Sequence, residues 1–231
     1  MRKLSKDAAA KRLKTMMETR SRFEETVDNL HVKLQKGNSK TGANCWTTSF
    51  LPIIDCPNHK HCMDECYDHR NDCRFMNVIK DRARNSAIHK HDRARYWREV
   101  DQEVKDNIVR ELRINVGGDL DNEDFAYVAE LGRSNPRTMI LFFTKNYDGI
   151  NAFLDNNEFP ENVKPIMSAW KNLEMNNPHN LPCSHVLYNN GDTTAPEYGA
   201  IYCGGNCSRC AFEGNGCWDL KKGEHVIFRE H

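Results

Sequence analysis

Cys203, Cys207, Cys210 and Cys217 stand close together near the end of the chain, and their type and spacing constrain its chemistry more than any other residues do. Gly204 and Gly205 separate the first two and let the backbone wrap closely around an inorganic centre, as a thiolate-ligated metal or iron–sulfur cluster requires. A second set, Cys56, Cys62 and Cys66, lies earlier, with Cys73 beyond it and His59 and His61 inside it. Two sets predict two sites or one shared site. The three- and two-residue gaps of the late set fit an iron–sulfur cluster, with the four-iron form favoured, better than the paired two-residue gaps of zinc ribbons. Zinc is the alternative metal. The N-terminus is Lys-rich without the apolar stretch of a signal peptide, so the expected location is the cytoplasm. In that reducing compartment ten cysteines point to metal or redox chemistry rather than to structural disulfides.

Around these cysteines the 231 residues predict one sizeable core with an appendage. Thirty-three acidic and thirty-three basic residues cancel, so no global field draws the chain to nucleic acid or anionic lipid. Local basic runs such as Lys80-Asp81-Arg82-Ala83-Arg84 are interleaved with acids and read first as solvated helix faces. No apolar run is long enough to span a membrane.

Residues 1–35 are read as an N-terminal amphipathic helix, with Ala9, Leu13, Met16, Phe23, Val27 and Leu30 recurring at three- and four-residue steps. Residues 36–231 are read as a cysteine-rich α/β barrel-like domain. Its first strand is expected over 45–54, a helix over about 85–110, a strand over 112–116 and a helix after Asp121 that Asn135-Pro136 stops. Later strands are expected over 138–144, 163–170, 184–188 and 198–202. Alternating strands and helices with buried strands imply parallel pairing and right-handed crossovers, here a partial or irregular TIM-type barrel.

In such folds chemistry gathers at the carboxyl ends of the strands. Those ends carry Cys56, Gly118-Asp119, Lys145, Ser168, Trp170 and Cys203. Asp119 is the candidate base or hydrogen-bond acceptor, its structural alternative being an acid that satisfies backbone N–H groups at a helix start. Lys145 is the candidate partner of a substrate carboxylate or phosphate. Ser168 is a candidate cofactor contact, and His231 a candidate ligand or proton donor.

Two resemblances add to this. The arrangement Cys203-x3-Cys207-x2-Cys210 resembles the motif of the radical S-adenosylmethionine enzymes, which implies an open iron able to hold that cofactor, although the motif normally follows the first strand and Cys217 could fill the open iron. Gly37-Asn38-Ser39-Lys40, Trp46-Thr47-Thr48-Ser49-Phe50-Leu51-Pro52, Cys56-Pro57, Cys66-Tyr67, Arg113-Ile114-Asn115-Val116-Gly117-Gly118-Asp119, Phe143-Thr144-Lys145 and the closing 226–231 segment resemble the phage gene product 88 family. That resemblance implies a radical-enzyme-type barrel with iron–sulfur chemistry, and adds Asn38 and Lys40 as cofactor contacts. It leads one to expect His where this chain has Asn115. The function expected is an iron–sulfur enzyme acting at the strand rim on a small molecule, nucleotide or peptide, with an electron donor as partner. The alternative is a non-enzymatic module stabilised by a cluster or by zinc.

Overall fold

The computed structural model describes residues 4–38 and 41–230, with the side chain of Asn38 outside that description. Helix α1 (Lys6–Glu24) starts at Ser5, whose hydroxyl accepts from the Ala8 N–H. It is shorter than expected. Thr26, at φ −126°, leaves the helical region, and a single 3-10 turn over Val27–Asn29 follows. The apolar stripe of α1 lies against its own chain: Met16 is fully buried, with Leu13 and Phe23 beside it, among Leu51, Cys73, Ile79 and Ala83. Arg20 reinforces this contact through Asp55 at 2.9 Å.

Eight strands form one sheet in the order β1-β2-β3-β4-β5-β6-β8-β7. They are β1 (Gln35–Asn38), β2 (Gly42–Thr48), β3 (Glu111–Ile114), β4 (Met139–Thr144), β5 (Val163–Ser168), β6 (Cys183–Leu187), β7 (Ala200–Tyr202) and β8 (His225–Arg229). Only β1 with β2 is antiparallel; every other pairing is parallel. The expected parallel α/β architecture is therefore present as an open sheet, and among the described residues β1 and β7 do not pair to close a ring.

The first parallel strand ends earlier than expected. Past Thr48 the chain meets Pro52, which cannot donate to a ladder, and Ile53 at φ 69°, so residues 49–55 turn away from the sheet. The helix expected over 85–110 is two helices, α3 (Met76–His91) and α4 (Arg93–Asp106). Asp92, extended at φ −148°, divides them and caps α4 by accepting from the Arg95 N–H at 2.8 Å. Four further elements were not anticipated: the hairpin strand β1, the closing strand β8 and the short helices α2 (Tyr67–Asn71) and α7 (Cys207–Glu213). Helices α5 (Asp124–Ser134) and α6 (Tyr147–Leu154) complete the set.

Period-two alternation divides the sheet's side chains between two cores. Leu112, Ile114, Ile140 and Phe142 face Ile88, Trp97, Phe125, Val128 and Ile150 in the larger one. Cys45, Leu141, Ile166 and Val226 surround Trp218 in the smaller one on the opposite face. That second face is concave: Phe143 on β4 and Phe228 on β8 meet at 5.7 Å between ring centroids, although β5 and β6 lie between them. Helix α7 crosses this concavity from the β7 edge to β2, where the Ser208 N–H donates to the Thr41 carbonyl at 2.9 Å and Ser208 Oγ accepts from Asn44 N–H at 3.1 Å. Gly42 permits the approach, since a Cβ there would lie 2.6 Å from Asn206 and Ser208.

Candidate metal centre and cavity

The concave face opens at the carboxyl ends of the parallel strands into a cavity of about 570 Å³. Asn115 follows β3, Lys145 follows β4, Ser168 ends β5, Tyr188 follows β6, and Arg229 ends β8, and all of them line it. Both cysteine sets reach the same space: Cys56, Cys62 and Cys66 on one side, and Cys203, Cys207, Cys210 and Cys217 on the other.

The late set is built on α7. The Asn206 side chain caps the helix by accepting from the Arg209 N–H at 2.9 Å, and Gly214, left-handed at φ 63°, ends it. Cys207 and Cys210 fall one turn apart, Cys203 precedes them after β7, and Cys217 follows in a 3-10 turn whose Trp218 Nε1 donates to the Cys207 carbonyl at 2.9 Å. Arg113 Nη1 lies 3.5 Å from Cys207 Sγ, while its guanidinium stacks 5.0 Å from the Phe143 ring centroid. Cys45 on β2 is an additional sulfur at this centre: its hydrogen bond with Cys207 and its burial hold the thiol far above the ordinary range. Burial, aided by Cys203, pushes Cys217 up to about 12. Metal binding here would therefore expel protons.

The early set sits on a loop pinned to the rim. The Asn58 side-chain amide donates to the Lys145 carbonyl at 2.6 Å, and Lys171 pairs with Glu65 at 2.7 Å. Burial raises Cys56 well above its usual range and Cys66 to about 12, with the Lys145 ammonium opposing the shift at Cys62 and Cys66. His59 and His61 do not line the cavity; their Nδ1 atoms meet the carbonyls of Cys56 at 3.0 Å and Asn172 at 2.9 Å. Cys73 is also turned away, buried 3.3 Å from Arg82 Nη1. The early loop thus presents three thiols to the cavity.

Asp119 is buried at the cavity wall, and both carboxylate oxygens accept backbone N–H groups, from Leu120 and from Lys145, each at 2.8 Å. Those bonds tie the β3 and β4 rims together. Burial nevertheless raises its carboxyl above the ordinary value. Lys145 places its ammonium 5.0 Å from the Trp170 ring centroid, while its backbone N–H bonds Asp119 and its charge opposes the rise of that carboxyl. Ser168 Oγ accepts from Ser184 Oγ at 3.2 Å. Lys40, His231 and the side chain of Asn38 lie outside the described residues.

Sequence reasoning missed several cavity residues. Asp68 lines the wall, is paired with buried Arg82, and is pushed up to about 6 by burial against the opposing pull of Arg82. Gly117 makes room for it, because a Cβ there would lie 2.2 Å from Asp68 Oδ2. Nothing in the local sequence distinguishes Asp68 from the neighbouring acids; its burial arises only when α2 and α3 pack together.

Among the described residues the one trio of His, Cys, Asp or Glu whose ligand atoms lie within 4.8 Å of one another is His89, Asp121 and Asp124. That trio is a structural ion-pair network: Arg93 pairs with Asp121 and lies 3.4 Å from Asp124, which also bonds His89 and accepts from Trp97 Nε1 and the Asp121 N–H.

Among the described residues no helix is long and apolar enough to cross a membrane. No curated protein and no solved structure matches the chain. The model of the family described as gene product 88 matches residues 8–216.

Proposed function

The chain belongs to the phage gene product 88 family, and from that premise we propose that it is a cytoplasmic iron–sulfur protein whose cavity is the reaction site of a radical-type enzyme using S-adenosylmethionine. One observation carries the reading: seven cysteines from two distant segments face a single cavity at the strand rim. The three- and two-residue gaps of Cys203, Cys207 and Cys210 support a polynuclear centre, in which each thiolate binds a different iron, over a single tetrahedral zinc. The curled, open sheet with its cavity at the carboxyl rim is read as an incomplete barrel of the same kind.

Cys203, Cys207, Cys210 and Cys217 would hold one centre, and Cys56, Cys62 and Cys66 a centre across the cavity. Such a group supplies one-electron chemistry that side chains lack. The chain's own part is to bind, orient and exclude water. Arg113 supplies positive charge and a donor to Cys207, which favours the thiolate. Lys145, on the early side, offers an ammonium to an anionic ligand group, and Trp170 shields it from solvent on one face. Phe143, Phe228 and Trp218 form an apolar floor that keeps water from the centre of the cavity.

The test is anaerobic purification followed by visible and electron-spin spectra before and after addition of S-adenosylmethionine. A cofactor-dependent change in an iron–sulfur signal supports the enzyme. An iron–sulfur signal indifferent to the cofactor reduces the protein to an electron-transfer or structural cluster module.

A further inference from the structure

Asn115 follows the end of β3 on the wall of the cavity that both cysteine sets line, and is only 5% exposed. Both polar atoms of its side-chain amide, Oδ1 and Nδ2, are buried and have no hydrogen-bond partner. Its backbone is left-handed at φ 53°. Asn tolerates that region better than most residues because its side chain usually bonds to nearby backbone, and here it does not. A turn alone would be served by glycine, as it is at Gly118, φ 81°, three residues on. The Asn115 N–H donates to the Thr48 carbonyl at 2.9 Å, but the residue still combines a strained backbone with a side-chain amide that no group in the chain satisfies.

Such costs persist where a ligand supplies the missing partner. An amide offers an acceptor and a donor side by side, so its complement is a planar edge carrying a donor beside an acceptor. The N6/N7 edge of adenine is that kind of edge. The surrounding wall suits a planar base: Trp170, Tyr188, Phe143 and Phe228 contribute aromatic surface, and the volume lies in the range that holds a nucleoside-sized molecule. We infer that Asn115 is the specificity residue of the cavity and that it reads the donor–acceptor edge of an adenine nucleoside. The inference rests on the cavity being a ligand site and is independent of which metal the cysteines hold.

The experiment is thermal unfolding of the full chain as isolated, with metal and sulfide measured on the same preparations. Adenosine is the probe, and inosine, which presents acceptors alone at that edge, is its control. The wild type should gain about 5 °C or more at a hundredfold excess over Kd, and inosine should leave it unmoved. Asn115→Gly should melt about 2–4 °C higher than the wild type without ligand, because strain and the orphaned amide are both removed, and should lose the adenosine shift. Asn115→Asp, which keeps the size and loses the donors, should lose the shift as well. Absence of an adenosine shift in the wild type, an equal shift in Asn115→Gly, an equal response to inosine, or a lower melting point for Asn115→Gly would each overturn the assignment. Loss of the iron reading with the adenosine pattern retained would leave it standing.

Discussion

Arg113 Nη1 and Cys207 Sγ lie 3.5 Å apart, joining residues 94 positions distant in the chain. Arg113 comes from a central strand of the sheet, and Cys207 from a helix that crosses the concave face to reach β2. The contact exists because α7 spans the open side of the sheet. It sets a permanent cation beside a cysteine that also bonds to Cys45.

Removing that cation should weaken metal retention without dismantling the fold. Arg113→Met keeps the length and the packing on Phe143 but loses the donor. Competition with a chelator should show affinity reduced by about 10–100-fold, the usual cost of removing a group that bonds to a metal ligand. Unchanged affinity would mean that Arg113 serves only packing.

Asp68 and Arg82 form a buried pair beside the cavity, with side chains 7% and 8% exposed. Arg82→Met should destabilise the chain by about 3–5 kcal/mol in urea unfolding, because it leaves a buried carboxylate unpaired. Adding Asp68→Asn should restore much of that loss. A double variant as unstable as the single one would show that Arg82 acts through its other contacts, Cys73 and Asp72.

Gly117→Ala should cost about 1–3 kcal/mol by the same measurement. Its new methyl would fall on Asp68 Oδ2 and on Arg82 Nη1, 2.8 Å away, and neither can move freely in a buried pair. A neutral substitution would show that the loop after β3 relaxes.

His185 on β6 is buried, hydrogen-bonded to His225 Nδ1 and to Thr194, each at 2.9 Å. Burial, with His225 adding to it, lowers its pKa from 6.5 to about 4. The native chain keeps this ring neutral where the unfolded chain would protonate it, so its contribution to stability falls as pH drops from about 6.5 toward about 4. Raised carboxyls such as Asp68 act in the opposite direction, so the comparison must be differential. Wild type should lose more stability than His185→Gln between pH 7 and pH 4.5; parallel profiles would remove His185 from the account.

Much of the architecture was legible in the chain. The apolar run at Met139–Thr144, the glycine turn after Ile114 and the stop at Asn135-Pro136 mark elements by strong local signals, and each appears where those signals put it. The rim pattern was legible too, since Cys56, Asp119, Lys145, Ser168 and Cys203 all line one cavity. What escaped depends on distance. β8 is short and polar at both ends, and it is a strand because β6 and β7 flank it. Helix α7 is seven residues long, too short for periodicity to reveal, and is held by Asn206 and by its contact with β2. Asp68, Arg113 and Cys45 are ordinary residues in the sequence and gain their setting only from packing.

If the cavity's cysteines hold a cluster, iron and sulfide travel with them. Iron, zinc and acid-labile sulfide should be measured per chain on anaerobically purified wild type and on Cys207→Ala. Iron and sulfide should be present in comparable amounts in the wild type, and both should be markedly lost in the variant. Zinc without sulfide, or a variant with undiminished iron and sulfide, would contradict a cluster on these cysteines.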